Sequence, residues 1–349
     1  MTLGSLMEAA GYDTGYSGKW HVNTNSLPAP RAFGFENLHG HNDYGLAEAA
    51  NEFIRRDHGG RPFFLVASFD NPHNICEYAR GQHLPFATVD EVPLDSCPNL
   101  PANFLINPYD ADILRWERER SYRLYPTKGY TADDWRRYRH AYYSLVEHVD
   151  AEVGKIVNTI DSLGLWDNTV VIFTADHGDG QGAHQWNQKT VLWDEVANVP
   201  LIVCAPGNDK NAGKVSRALV NNGIDLMPTV LDWAGEEVRG HGGLSLRGRV
   251  ENPASERPEE FVVTETVFAQ TGGTRGWMVR TPRYKYVLYE AGAHREMLFD
   301  MDSDRLEMTN LAVEARYADV LRLHRDLLRR WMQRNLRGEA EPSVRFIPD

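Results

Sequence analysis

The sequence contains little cysteine, no long apolar run and no excess of positive charge, and each absence excludes a class of protein. Its three cysteines, Cys76, Cys97 and Cys204, are too scattered for a disulfide framework, and no Cys-x-x-Cys pair indicates a zinc or redox site. No window approaches the ~20 apolar residues that a membrane-spanning helix needs, and the mean hydropathy is -0.49. The net charge of -12 argues against a nucleic-acid partner, because binding to phosphates needs a basic face.

The N-terminal residues, MTLGSLMEAAGY, contain neither a basic segment nor a long apolar segment, so they predict no secretory leader. On this sequence we expect a cytoplasmic protein. The alternative is a secreted or periplasmic protein, if a leader was lost together with the natural N-terminus. In so acidic a chain, an anion site must be a local pocket of lysine, histidine and arginine, assisted by a metal ion.

Helical and strand-like patterns alternate along most of the chain, which predicts an α/β fold with a mainly parallel sheet flanked by helices. The apolar runs FFLVASF (63–69) and TVVIFTA (169–175) are typical of strands that are buried on both faces. Residues 131–163 have the clearest helical periodicity, and Thr131 with Asp134 resembles a capping box at the start of that helix.

The pattern changes after about residue 255, where short strand-like segments follow one another and an amphipathic helix closes the chain. We therefore expect an α/β catalytic domain over residues 1–255 and a smaller C-terminal α+β subdomain, with an antiparallel sheet and a helix, over residues 256–349. Within the first domain, the irregular stretch 74–130 is either a solvated excursion with one short helix or a loop that shapes the mouth of a pocket.

Polar clusters follow three of the predicted strands. They are Lys19-Trp20-His21, Asn71-Pro72-His73, and Asp176-His177-Gly178-Asp179 with Lys189 beyond it. Ligand sites of open α/β sheets lie beyond the carboxyl ends of the strands, so a shared site is expected there. Taken singly, each cluster also has an ordinary interpretation as a surface lysine, a loop histidine or a turn aspartate. Their joint occurrence favours a site in which carboxylate and imidazole hold a divalent cation.

In their order and residue patterns, these segments resemble those of the sulfatase family. This family includes arylsulfatases and choline sulfatases and belongs to the alkaline phosphatase superfamily. The resemblance extends along nearly the whole chain. It is carried by MEAAGYDTGYSGKWH (7–21), RPFFLVASFDNPH (61–73), the stretch from TVVIFTADHGDGQGAHQWNQK to VPLIVCAPG (169–207), and the tail segments VRTPRYKYVLYE and LFDMDSDRLEMTNLA. It implies an alkaline-phosphatase-like fold and the hydrolysis of a sulfuric ester.

The resemblance also implies ligands for a metal ion and for the sulfate group. Asp176 and His177 match two ligands of a divalent metal, calcium first, with magnesium and manganese as alternatives. Lys19 and Lys189 match lysines that bind the sulfate oxygens and stabilise charge in the transition state.

Three histidines match the family's pattern as well. His73 would bind substrate and protonate the leaving alcohol, and His21 would serve the nucleophile as hydrogen-bond partner or base. Imidazole suits both tasks because its ordinary pKa of ~6.5 lets it exchange protons near neutral pH. His184 matches the histidine of a Gly-x-His motif, with a substrate-binding pocket wall and a structural role as equal alternatives.

Two elements of the family's pattern do not occur in this sequence. In the family, a strand ending in paired aspartates and a Cys-x-Pro/Ala-x-Arg motif precede the Gly-Lys-Trp-His segment, and the cysteine of that motif becomes the formylglycine nucleophile. Cys76 has an arginine, Arg80, at the right spacing. It is rejected because Tyr78 replaces the required proline or alanine and because the motif follows His73 in the chain. We expect a sequence with an internal start; a split protein and a degenerate non-enzyme are the alternatives.

The sequence thus predicts metal-dependent hydrolysis of the sulfate ester of a small molecule or carbohydrate. Alternatives are a phosphodiesterase or phosphonate monoester hydrolase of the same superfamily, and an inactive homologue that binds anions. No nucleic acid or membrane is expected as a partner, whereas a homo-oligomer or a complementing N-terminal segment is. Four basic residues are either rim contacts for a polyanionic sugar or, as we prefer, ordinary surface charge: Arg275, Arg280, Arg283 and Lys285.

Overall fold

The computed structural model describes residues 2–21, 30–120, 126–237, 240, 242–253, 261–268 and 273–336. Its helices are α1 (Leu3–Ala9), α2 (Leu46–Arg55), α3 (Ile75–Ala79), α4 (Asp112–Arg120), α5 (Ala132–Ser162), α6 (Asp194–Ala197), α7 (Asn222–Trp233), α8 (Arg247–Glu251) and α9 (Ala318–Asn335). Its strands are β1 (Asp13–Gly18), β2 (Glu36–His39), β3 (Phe63–Ser68), β4 (Val171–Thr174), β5 (Leu201–Cys204), β6 (Val262–Phe268), β7 (Thr274–Arg280), β8 (Tyr284–Tyr289) and β9 (Glu296–Asp300).

The parallel sheet has the strand order β2–β1–β3, and it fixes where two of the polar clusters emerge. β1 and β3 run in register from the pair Asp13 and Phe63 to the pair Gly18 and Ser68, so both strands end at the same level. The Lys19 amide continues the ladder by donating to the Ser68 carbonyl over 2.7 Å. Gly18 has a left-handed φ of 104°, and a Cβ there would lie 2.2 Å from the Ser68 oxygen. Only glycine permits this close approach.

The prediction that runs 63–69 and 169–175 form strands buried on both faces is wrong. All six residues of β3 are partly exposed, and Phe173 of β4 is exposed. Within the described residues β3 pairs only with β1, while β4 pairs only with β5, antiparallel and in a separate sheet. Each strand therefore keeps one unpaired edge, which leaves its apolar side chains half-covered.

Helix α5 begins where the sequence predicts. The Thr131 amide donates to Asp134 Oδ2 over 2.7 Å, and the Asp134 amide donates back to Thr131 Oγ1 over 3.2 Å, which completes the capping box. The helix packs against α2 and α3, and Trp135 and Tyr138 lie buried in the apolar cluster that it shares with α3. Where it is described, the stretch 74–130 includes the α-helices α3 and α4, and it contributes Ile75 and Ala87 to this core rather than being a purely solvated excursion.

The C-terminal part forms the predicted antiparallel sheet, in the order β6–β7–β8–β9, with α9 packed against it through Leu321 and Leu328. The predicted domain boundary near residue 255 lies outside the described residues. One buried cluster contains both Trp193 and Phe299, so the sheet packs directly against the loops that follow β4. No helix among the described residues is long and apolar enough to cross a membrane.

Candidate active site

The ends of β1 and β3 bring Lys19, His41 and His73 around one buried carboxylate. Asp70 Oδ1 lies 3.1 Å from Lys19 Nζ and 2.9 Å from His41 Nε2. Asp70 Oδ2 lies 3.9 Å from His73 Nδ1. Lys19 and His73 were both predicted as site residues, and the parallel pairing of their strands explains why they meet.

Asp70 is itself held in place by a second buried carboxylate, Asp43. The Asp70 amide donates to Asp43 Oδ1 over 2.7 Å, and the Asn71 amide and side chain donate to Asp43 Oδ2 over 2.9 Å. Burial raises the pKa of Asp70, but the hydrogen bond from His41 and the charge of Lys19 outweigh burial and leave the pKa below its ordinary value. Asp70 therefore carries a negative charge at neutral pH.

His73 is a half-buried imidazole at the entrance to this cluster. Burial lowers its pKa, the positive charges of Lys19 and Lys189 lower it further, and Asp70 and Glu77 oppose them. The pKa of His73 therefore lies below its ordinary value, and the ring is predominantly neutral at pH 7.

Asp176 and His177 follow β4, where the sequence predicts the metal ligands. Asp176 has a side chain that is 77% exposed, and its Oδ2 lies 3.6 Å from His177 Nε2. His177 Nδ1 is 2.8 Å from the Gly178 carbonyl. This bond requires Nδ1 to carry the proton, so Nε2 presents its lone pair beside the carboxylate.

This oxygen and nitrogen pair fits a divalent cation as two neighbouring ligands. Burial lowers the pKa of His177, and the charges of Lys189 and Lys19 lower it further, which favours the neutral ring that a metal requires. In the described ranges, no group of three or more His, Cys, Asp and Glu side chains has the geometry of a complete site. Asp176 and His177 alone would make a weak one, because calcium takes 6–8 oxygen ligands.

Lys189 lies on a loop with unusual backbone geometry. Five non-glycine residues of this loop have a left-handed φ: Gln181, His184, Gln185, Gln188 and Thr190. Such angles are strained for side-chain-bearing residues and persist only where the surroundings enforce them. Helix α6 begins only at Asp194, after the last of these residues.

The buried Asp179 carboxylate enforces this loop conformation. It accepts the amides of Gln181 and Gln188, each over 2.8 Å, and the Tyr138 hydroxyl over 3.0 Å. These bonds tie both ends of the loop to α5. Hydrogen bonds to Asp179 therefore hold the backbone that carries Lys189 in one conformation.

His184 is completely buried and stacks on Trp193 with ring centroids 4.2 Å apart. Asn103 Nδ2 lies 3.4 Å from its Nε2, and burial lowers the pKa of the ring to about 3. These contacts favour the structural role over the pocket wall.

His21 lies at the exposed end of the segment that follows β1. Its side chain makes no hydrogen bond to any residue that the structure describes, so the role implied for His21 stays a prediction.

Two further expectations concern side chains outside the cluster. Cys76 is buried in α3, and burial raises the pKa of its thiol to about 12, which agrees with its rejection as a nucleophile. Lys285 is neither a rim residue nor surface charge, since it is fully buried between Asp194 and Glu307. Of the remaining basic residues in that set, Arg283 pairs with Asp300 and Arg275 with Glu265.

The sequence reasoning missed Asp70 and His41 as parts of the site, and it named Asp179 in a polar cluster without giving it a role. Asp70 offered a signal, because it directly precedes the Asn-Pro-His cluster at the end of a strand. His41 offered none beyond being a polar residue in a loop, and only the folded chain places it 2.9 Å from Asp70.

An α/β sheet whose strand ends carry this lysine, histidine and aspartate cluster defines a hydrolase of the alkaline-phosphatase-like class. The family model described as Sulfatase matches residues 1–236, and the model described as N-sulphoglucosamine sulphohydrolase, C-terminal, matches residues 182–334. The chain belongs to the sulfatase family, the sulfuric ester hydrolases of that superfamily. Members of the family generally use a divalent metal ion.

Individual relatives agree with this assignment. A Delta 4,5-hexuronate-2-O-sulfatase of Bacteroides thetaiotaomicron is 30% identical over 99% of this chain and 75% of its own length. An arylsulfatase of Clostridium perfringens is 28% identical over 89% of this chain and 61% of its own length. The solved structure of a 2-O GAG sulfatase superposes with a TM-score of 0.80 at 28% identity, covering 97% of this chain and 75% of that one. The chain thus spans part of the length of each.

Proposed function

We propose that this chain provides the sulfate-binding and proton-donating part of a site that hydrolyses the sulfate ester of a sulfated carbohydrate. The observation that carries the proposal is the meeting of Lys19 and His73 at the Asp70 carboxylate, where β1 and β3 end at the same level. The charges of Lys19 and Lys189 both lower the pKa of His73 and of His177. The relatives named as hexuronate and GAG sulfatases support a sulfated sugar as the substrate class.

The two lysines bind the three sulfate oxygens and stabilise the charge that builds on them as the sulfur–oxygen bond breaks. Lys19 can do so while paired, because an ammonium group has three donors and Asp70 engages one of them. His73 donates its proton to the departing sugar oxygen, which leaves as a neutral alcohol. Water supplies the oxygen and protons that convert the sulfate group to inorganic sulfate.

Asp176 and His177 would hold the divalent cation, calcium first and magnesium or manganese as alternatives. When bound, the cation supplies positive charge beside the sulfate group. The exposed Asp176 carboxylate and the free lone pair of His177 support this assignment.

A complementing segment is part of the proposal, since the described residues contain neither a suitable nucleophile nor a full ligand set. The edge of β3 that pairs with no described strand supports it: a largely apolar strand whose six residues are all partly exposed is suited to pairing with a further strand. A homo-oligomer that covers this edge is the alternative result of the test below.

The test compares turnover of chromogenic aryl sulfate and aryl phosphate esters by this chain and by the chain extended upstream at its genomic locus. Both are prepared with calcium and with the formylglycine-forming system co-expressed, and their oligomeric state is measured by light scattering. We expect sulfate-ester turnover in the extended form, lost in Lys19→Met and retained in Lys210→Met, which changes a lysine of a remote loop.

Three results would contradict the proposal. Faster turnover of phosphate esters would assign the protein to phosphodiesterases or phosphonate hydrolases. Sulfate binding without turnover in either form would indicate an anion-binding homologue. Turnover by a dimer of the unextended chain would replace the complementing segment with a second copy.

A further inference from the structure

A single carboxylate lies at the centre of the cluster that the proposed function uses. Asp70 contacts Lys19 from the end of β1, His41 from the loop after β2, and His73 one turn further along its own segment. Its side chain is 5% exposed, while that of His41 is 51% exposed. The carboxylate is therefore internal, and the groups that it contacts are more accessible, since the side chains of Lys19, His73 and His41 are 14%, 37% and 51% exposed.

Asp70 has too few accessible atoms to be reached by a sugar, but it fixes two groups that can be reached. Lys19 has a flexible four-carbon stem, and without a partner its ammonium would sample many positions in water. The contact of 3.1 Å to Asp70 restricts it to one side of the strand end. Asp43, which binds the Asp70 amide, in turn prevents Asp70 from moving with its partners.

We propose that Asp70 is a positioning residue of the sulfate ester site: it aims the Lys19 ammonium at the sulfate group and holds His41 at the mouth of the site. This inference rests on the proposed function for the identity of the anion. The geometry also gives Asp70 an electrostatic effect on the proton donor. The charged groups that act on His73 are Lys19, Lys189, Glu77 and Asp70, and Asp70 is one of the two that favour its protonated form.

Asp70→Asn retains the shape of the side chain and removes its charge. We expect sulfate to bind about 10- to 100-fold more weakly, the effect of losing one charged hydrogen bond from a misplaced Lys19. This loss outweighs the weaker repulsion that follows from removing the Asp70 charge. The His73 ring should titrate at a lower pH, because a favourable negative charge has been removed. Lys19→Met should move the His73 titration in the opposite direction, because it removes a positive charge. A purely structural role for Asp70 would leave the sulfate affinity of the folded variant unchanged, so the affinity is the deciding measurement.

Both quantities are measured on the intact chain without any turnover. Sulfate binding is followed by isothermal titration calorimetry with sodium sulfate, and His73 by NMR titration of its ring Cε1–H signal, assigned with His73→Gln. Asp13→Asn is the matched control. It removes a carboxylate that binds His58 Nδ1 over 2.7 Å at the opposite end of β1, and it should change neither measurement.

The inference fails if Asp70→Asn leaves sulfate affinity unchanged, or if Asp13→Asn weakens it equally. If Asp70→Asn does not fold, Asp70→Glu replaces it: this change keeps the charge and displaces the contact with Lys19, and an unchanged sulfate affinity there would equally refute the inference. Absence of hydrolysis together with the expected shifts would refute the proposed function and leave the positioning role of Asp70 intact.

Discussion

The fully buried Lys285 provides the sharpest test of how the C-terminal sheet is joined to the loops around the site. Lys285 of β8 places its Nζ 2.8 Å from Asp194 Oδ1 and 2.8 Å from Glu307 Oε1. Burial alone would lower the pKa of Lys285, but the two carboxylates outweigh burial and raise the pKa. The ammonium is therefore charged in the folded protein, and it lies between two carboxyl groups.

Lys285→Met preserves most of the apolar bulk and removes the charge. Glu307, whose pKa burial already raises to about 7, is then left buried without its cation. At pH 8, where the carboxylate is charged in the parent protein, breaking a buried pair in this way costs about 3–5 kcal/mol of the free energy of unfolding. The additional change Glu307→Gln should recover part of that loss, because it removes the uncompensated charge. Asp194 needs no such change, because its side chain is 28% exposed and water can solvate it.

The assay is urea denaturation followed by tryptophan fluorescence, which reports on Trp277, buried in the same sheet. The control is Lys155→Met. Lys155 also has two carboxylate partners, Glu48 and Glu152, but it is 47% exposed, so its loss should cost under about 1 kcal/mol. Equal losses in Lys285→Met and Lys155→Met, or no recovery in the double variant, would refute the argument that burial makes this pair critical.

Three further predictions follow from the site. Cys76→Ala should leave sulfatase turnover by the extended form unchanged and lower stability only, because the buried thiol is not the nucleophile; abolished turnover measured with an aryl sulfate would show otherwise. The value of kcat/KM should fall as pH rises through the pKa of His73, which lies below 6.5, because a proton donor must carry its proton. A pH profile without this decline, or a profile unchanged in His73→Gln, would exclude His73 as the proton donor. Asp179→Ala leaves the amides of Gln181 and Gln188 without their acceptor, so it should lower the free energy of unfolding by about 1–3 kcal/mol per unsatisfied group and raise KM by misplacing the loop. Unfolding curves measure the first effect and steady-state kinetics the second. Unchanged values of both would contradict the role of Asp179 in holding the loop.

Much of the fold is encoded by signals that lie close together in the sequence. The capping box of Thr131 and Asp134 spans three residues and is sufficient to start α5, because its hydrogen bonds form within one turn. The antiparallel C-terminal sheet follows from short strand patterns joined by short connections. The meeting of Lys19 and His73 was also predictable, since each follows an apolar strand and parallel strands end at a common edge.

Burial and charge pairing required the tertiary structure, because they depend on segments that are distant in the sequence. In the sequence, Lys285 resembles a surface residue. The folded chain places it against Asp194 of α6, which lies 91 positions away. His41 becomes part of the site only because the fold places it in contact with Asp70, which lies 29 positions later in the chain. The partial exposure of β3 depends on which strands pair with it, and the apolar residues of a strand do not indicate how many neighbouring strands it has. The sequence by itself therefore determined the elements, their order and the chemical type of the site, whereas the assembled chain decided which charges are buried and which groups they hold.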